Sequence, residues 1–117
     1  MSDKNNDCIF CKIAQKILPA KIIRENDNVI VIQDISPKAP VHYLIMPKKH
    51  ISDIQTLKDK ELWWSLLDII QALSFEVLEG KGFNLISNNG KDAGQSVQHL
   101  HFHFLSGKNL YEGGLTL

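Results

Sequence analysis

Residues 99–105 read His-Leu-His-Phe-His-Phe-Leu, with an imidazole at every second position and a large apolar side chain between. That two-residue period is the period of a β-strand. It predicts a strand over residues 97–106 with His99, His101 and His103 on one face and Leu100, Phe102 and Phe104 on the other. The apolar face demands a hydrophobic cover, which a long helix supplies, and the imidazole face opens onto something polar. Three adjacent imidazoles without a ligand gain nothing structurally, because protonation of one opposes protonation of the next. The strand is therefore read as a wall of a functional site.

Two chemistries suit such a wall. In one, ring nitrogens on alternate strand positions hold a catalytic zinc ion. In the other, a neutral imidazole whose Nδ1–H is held by a carbonyl offers its Nε2 lone pair to phosphorus, while its neighbours donate to phosphate oxygens. Gly94-Gln95-Ser96, immediately upstream, supplies a flexible turn, backbone N–H groups and a hydroxyl, which is what an anionic phosphoryl group needs. A P-loop is excluded, since Gly90-Lys91-Asp92 lacks the spacing and the hydroxyl residue after lysine.

The remainder of the chain builds a scaffold. Its 117 residues, 44% of them hydrophobic, predict one domain over residues 1–117, with 1–6 flexible and 107–117 a C-terminal tail. Thirteen basic residues balance thirteen acidic ones, so no global field draws the molecule onto nucleic acid or an anionic membrane. The polar first seven residues carry no export signal, and the longest apolar stretch, 62–78, is interrupted by Ser65, Asp68, Gln71, Ser74 and Glu76. A cytoplasmic protein without a membrane span is expected.

Asp7 is placed as the cap of a short helix through Ile9, Phe10, Ile13 and Ile17, stopped by Pro19. The β-branched runs 22–24 and 29–35 predict a hairpin about Asn26-Asp27-Asn28, and 42–46 a third strand with His42, Leu44 and Met46 on one face. Ser52-x-x-Gln55 fits a capping box ahead of a long helix over 59–79. Leu62, Leu66, Ile69, Ile70, Leu73 and Val77 form its core stripe, with Trp63 and Trp64 beside it for packing or a dimer contact. A fourth strand over 83–88 joins the histidine strand through a loop too short for a parallel crossover. The predicted class is α+β, a five-stranded antiparallel sheet with one short and one long helix.

Cys8 and Cys11, the only cysteines, form a Cys-x-x-Cys pair. An ordinary buried pair, a redox dithiol and half of a zinc site all stay open, although a thioredoxin-like arrangement is disfavoured because no strand precedes the pair. Asp34 shares a strand face with Ile30 and Ile32, where a carboxylate needs a partner, either a nearby Lys, a backbone N–H or a ligand.

His99-x-His101-x-His103-Phe104-Leu105, preceded by Gly94-Gln95-Ser96-Val97, resembles the signature of the histidine triad (HIT) nucleotide-binding superfamily. Ile9-Phe10-x-Lys12-Ile13, Ile17-x-Pro19-Ala20, Asp34-Ile35-Ser36-Pro37-x-Ala39-Pro40-x-His42 and Pro47-Lys48-Lys49-His50-Ile51 are similar to its Hint branch, so the resemblance spans residues 7–107. It implies a HIT fold whose sheet continues across a homodimer, and a hydrolase of purine nucleoside 5′-phosphoramidates acting through a nucleotidyl-histidine intermediate. By that resemblance His101 attacks phosphorus, His103 hydrogen-bonds a phosphate oxygen, and Ser96 lies near the leaving atom. Gly94 and Gln95 complete the loop, and Asn88 also reaches the phosphate. Asp34 accepts the ribose hydroxyls, while Ile9, Phe10, Ile13, Ile32, Ile35 and Leu44 form the purine slot and His42 stands beside the catalytic histidines.

The resemblance further implies a structural Zn2+ on Cys8, Cys11, His50 and His99, with no metal required for the chemistry. The rivals are a catalytic zinc hydrolase built on the three strand histidines, and a nucleotide-binding interaction module with incidental activity. After Leu105 the resemblance deteriorates: the usual tail tryptophan is missing, and Tyr111 is the aromatic residue nearest to a substitute.

Overall fold

Strand β2, Val29–Gln33, reads Val-Ile-Val-Ile-Gln and is apolar on both faces, a run that is stable only inside a sheet covered on both sides. The computed structural model, which describes residues 7–116, places it there. Strands β1 (Ile22–Glu25), β2, β3 (Val41–Pro47), β4 (Asn84–Ile86) and β5 (Phe102–Ser106) form one sheet in the order β1-β2-β3-β5-β4, with every neighbouring pair antiparallel. Helix α1, Ile9–Ala14, covers one face, packing Phe10, Cys11 and Ile13 on Ile30, Ile32, Leu44 and Met46. Helix α2, Lys60–Glu76, covers the other, packing Leu62, Leu66, Ile69, Ile70 and Leu73 on Val29, Val31, Ile45, Phe102 and Phe104. Burial of Leu66 and Leu73, both inaccessible to solvent, contributes about 1.5–3 kcal/mol each. The α+β fold expected from the sequence is the one observed, and no helix among the described residues is long and apolar enough to cross a membrane.

Several boundaries differ from the sequence reading. Residues 1–6, expected to be flexible, lie outside the described residues. The cap of α1 is Cys8 and not Asp7, its Sγ accepting the Cys11 N–H at 3.3 Å, and the helix ends at Ala14, well before Pro19, where Lys16 turns to φ +65°. The capping box forms on Asp53 and Thr56 in place of Ser52 and Gln55, and opens a 3-10 turn. Asp59 caps α2, accepting the N–H groups of Glu61 and Leu62, and the helix stops at Glu76. β2 stops at Gln33 and β4 contracts to three residues, with Phe83 outside the strand but stacked on Phe104 at 4.6 Å.

The largest difference falls on the histidine strand. β5 begins at Phe102, so His99 and His101 precede it. Continuing the β3–β5 register would set Leu100 opposite Pro47, which has no N–H to give the ladder. The Leu100 N–H goes to the Ile51 carbonyl at 2.6 Å instead, and the His99 N–H closes a tight turn onto the Val97 carbonyl at 2.8 Å.

Candidate active site

Opening the chain ahead of β5 gives the three imidazoles different partners. His99 is fully buried, and its Nε2–H donates to the Pro47 carbonyl at 2.7 Å, the same proline that ends the ladder. Its Nδ1 is thereby left as a lone pair, 3.2 Å from Cys8 Sγ and 3.4 Å from Cys11 Sγ. His50 Nδ1 lies 3.2 Å from Cys11 Sγ, and the four donor atoms are all within 4.8 Å of one another, an arrangement that can hold a metal ion. Burial, with the adjacent Cys8, pushes the Cys11 thiol up to about 12, and burial lowers His99 to about 4. A neutral imidazole is the form that binds a metal, while two thiolates side by side need a cation between them.

His101 donates Nδ1–H to the carbonyl of His99 at 2.8 Å and packs edge-on to Phe10 at 5.1 Å. The acceptor on Nδ1 fixes the tautomer and leaves Nε2 with its lone pair. His103 carries the opposite tautomer for a traceable reason. The Lys38 backbone N–H donates to His42 Nδ1 at 3.0 Å, so the His42 proton resides on Nε2, which lies 2.9 Å from His103 Nδ1 and 3.3 Å from Asp34 Oδ2. His103 Nδ1 accepts, and its own proton is on Nε2. A lone pair on His101 thus stands beside a donor on His103, with the rings 5.3 Å apart. Burial holds both His42 and His103 below the ordinary imidazole value, with the His101 and His42 rings adding to the effect at His103. Neutral rings are what this hydrogen-bond chain requires.

A cavity of about 660 Å3 crosses this end of the sheet from Asp34 past His42 and His103 to Asn88, and the tail contributes Lys108 and Leu115 to its lining. Asp34 sits at its rim, Oδ1 accepting the Ser36 N–H at 2.7 Å, so this carboxylate has a backbone partner as well as an imidazole. Phe10, Ile13, Ile32 and Leu44 pack together beneath α1. Ile35 stands apart, 97% exposed beyond the end of β2. Ile9 and Ser96 line a second cavity of about 520 Å3 together with Cys8 and His50, and His103 is not part of that lining. Gln95 is buried as a brace, accepting the Gly90 N–H at 2.8 Å and donating to the Ser52 and Val97 carbonyls at 2.7 and 3.0 Å. Asn88 donates to the Ala93 carbonyl at 2.8 Å, holding the loop that carries Gly94 at φ +90°.

Sequence reasoning missed Lys38 and the tail residues Lys108, Leu110 and Leu115, which also line the larger cavity. Lys38 lies between Asp34 and His42 in the sequence, a signal that was available. The tail follows no periodicity and had none. Tyr111 is exposed and lies outside that lining.

The family model described as HIT domain matches residues 15–110. An uncharacterized HIT-like protein of Methanocaldococcus jannaschii is 37% identical over 112 residues, covering 91% of this chain and 81% of the relative. A HIT family hydrolase of Legionella pneumophila superposes with a TM-score of 0.82 at 40% identity, covering 88% of this chain and 95% of that one. A histidine triad protein of Clostridium difficile gives 0.84 at 38%, covering 93% and 96%. The chain, matched over most of its length in sequence and in fold, belongs to the HIT domain family.

Proposed function

We propose that the chain is a nucleotide-binding hydrolase that cleaves purine nucleoside 5′-phosphoramidates, with His101 as the nucleophile. The observation that carries this reading is the 2.8 Å hydrogen bond from His101 Nδ1 to the His99 carbonyl, which leaves Nε2 free beside the donor face of His103. In the first step Nε2 attacks the α-phosphorus and the P–N bond to the amine breaks, the leaving nitrogen taking a proton from solvent that the attacking water of the second step returns. In the second, water attacks the nucleotidyl-histidine, returning His101 and releasing the nucleoside monophosphate. His103 Nε2–H and the Asn88 amide meet the charge on the phosphoryl oxygens, so the reaction asks nothing of a metal. Asp34 takes the ribose hydroxyls, and the apolar residues about Phe10 and Ile32, with Ile9 and Ile35, take the base. The backbone of Gly94, Gln95 and Ser96 serves as the phosphate loop, with the Gln95 side chain bracing it from within.

Cys8, Cys11, His50 and His99 suit a structural Zn2+. A tetrahedral site with Zn–S of about 2.3 Å and Zn–N of about 2.0 Å sets sulfur and nitrogen about 3.5 Å apart, against 3.2, 3.2 and 3.4 Å for the pairs here. Bound there, zinc would tie α1 to the segment ahead of β5. The geometry does not favour one catalytic zinc on all three histidines, because His99 Nδ1 faces the cysteines and His103 Nδ1 faces His42. The homodimer is supported by apolar side chains left exposed on α2 and about β4, Trp64, Phe75, Phe83 and Leu85, with β4 at the sheet edge. A Cys-x-x-Cys pair set against two imidazoles suits a reducing compartment, which supports a cytoplasmic location.

A His101→Ala variant assayed for nucleotide binding and phosphoramidate turnover tests the reading. Binding retained with turnover abolished is expected, and undiminished turnover refutes it. Turnover that survives chelation of the metal, in protein still folded, separates a histidine nucleophile from a catalytic zinc.

A further inference from the structure

We propose that Cys8 and Cys11 are a reversible disulfide-forming pair, oxidised by hydroperoxides, whose redox state sets the position of His101 through His99. The oxidation itself rests only on the thiol cluster, and its effect on turnover rests on the role given to His101 above.

Proximity comes first. The two cysteines are three residues apart across the first turn of α1, and Cys8 Sγ already accepts the Cys11 N–H at 3.3 Å. Their sulfurs belong to a group of donor atoms all within 4.8 Å of one another, so the two thiols already stand close enough to meet. Access differs between them in a useful way. Cys8 borders the cavity of about 520 Å3 shared with Asp7, His50 and Ser96, whereas Cys11, 2% exposed, lies behind it. A small peroxide entering the cavity meets Cys8. Cys11 then stands ready to resolve the product before further oxidation.

The chemistry balances. The Cys8 sulfur attacks one peroxide oxygen and the O–O bond breaks, giving a sulfenic acid and water. The Cys11 sulfur displaces the hydroxyl from Cys8 as a second water, so two thiols and one hydrogen peroxide give one disulfide and two waters. Any metal ion held by the four residues leaves as its two sulfur donors are consumed.

The consequence follows from what holds His99. Residues 97–101 have no place in the β-ladder, and the His99 ring is pinned between the Pro47 carbonyl at 2.7 Å and the sulfurs at 3.2 and 3.4 Å. Joining the sulfurs removes one of those two restraints. The His99 carbonyl is the acceptor that fixes the His101 tautomer, so its movement releases Nδ1–H and the aim of Nε2. Ser96 and Val97, which line the same cavity, move with the segment.

The test oxidises metal-loaded protein with hydrogen peroxide and follows four signals: intact mass with peptide mapping, metal release to a chromogenic chelator, the 15N imidazole spectrum of His101, and phosphoramidate turnover. Expected are the loss of two hydrogens per chain at a Cys8–Cys11 link, metal release in step with it, a changed His101 tautomer signal, and turnover lowered roughly tenfold to a hundredfold, the link being undone by dithiothreitol and the other signals restored once the reductant and chelator are removed and the metal is supplied again. Sulfinic acid or an intermolecular disulfide in place of that link overturns the proposal. A correct link with an unchanged His101 spectrum overturns it equally. In Cys11→Ser, oxidation adds oxygen to Cys8 without a disulfide, and a His101 change equal to the wild type there also refutes the mechanism. Should the chain turn over no phosphoramidate at all, the proposed function fails, while mass, metal and spectrum still decide this inference.

Discussion

His42 is the residue through which the donor face of the site is set, so replacing it separates positioning from chemistry. In His42→Leu the N–H of the exposed Lys38 loses its acceptor, and the half-buried His103 Nδ1 loses the donor 2.9 Å away. A buried polar group left without a partner costs about 1–3 kcal/mol. The leucine is itself apolar in a site only 3% exposed, which offsets part of that, so a net loss of about 2 kcal/mol is expected, a fall in Tm of about ten degrees. Freed from His42, His103 samples both tautomers and a wider range of ring angles. The expected effect is a fall in kcat of roughly tenfold to a hundredfold with KM little changed, because the donor acts on charge that develops in the transition state.

His42→Gln is the control. Its amide oxygen accepts from Lys38 and its NH2 donates to His103, so it restores most of kcat. The pH dependence has a definite sign. His42 and His103 both have folded pKa values lowered from 6.5, so below that pH the unfolded chain takes up protons first. Their contribution to stability is complete above about pH 6.5 and is lost as the pH falls through that value toward the lower folded ones, and His42→Gln flattens the decline. Thermal melts across pH and steady-state kinetics on the three proteins measure all of this. Equal kcat in wild type and His42→Leu, or equal loss in the Leu and Gln variants, refutes the tautomer argument.

Three further outcomes follow from the same geometry. Asp34→Ala weakens binding of a ribonucleoside monophosphate roughly tenfold by calorimetry and abolishes discrimination against the 2′,3′-dideoxy analogue; discrimination that persists removes Asp34 from the ribose site. Gln95→Leu strips three hydrogen bonds from a buried brace and lowers stability by about 2–4 kcal/mol in chemical denaturation, whereas a phosphate contact alone would leave stability intact and change only binding. Leu85→Arg, on edge strand β4, tests the proposed homodimer: the unsubstituted chain is expected to sediment as a dimer and the variant as a monomer with the fold preserved by circular dichroism, and equal sedimentation coefficients for the two refute an interface through β4.

Legibility divided along physical lines. The two faces of β3 were readable because alternation is a local rule, and Leu44 and Met46 do pack under α1 while Ile45 packs under α2. The core stripe of α2 was readable for the same reason at helical period, save that Val77 lies one residue past its end. The apolar spacing carries the short helix to Ile17, with Pro19 as a stop, whereas the helix ends three residues earlier, at Ala14, ahead of a left-handed Lys16 that no residue type announces. Gln95 stands in a motif that points to phosphate, yet its side chain ties Gly90 of its own loop to Ser52, a partner distant in the sequence.

The histidine run itself determined that three imidazoles would lie close together beside a sheet, and that Leu100, Phe102 and Phe104 would enter the core under the long helix. Alternation fixes faces, and faces fix burial. Only the tertiary structure decided which nitrogen of each ring carries the proton. That depends on a proline in β3 ending the ladder opposite Leu100, on a backbone N–H of Lys38 reaching His42, and on two cysteines from the N-terminal helix meeting His99. A tautomer is set by the partners of both ring nitrogens, and those partners lie far away in sequence, so spacing cannot encode it.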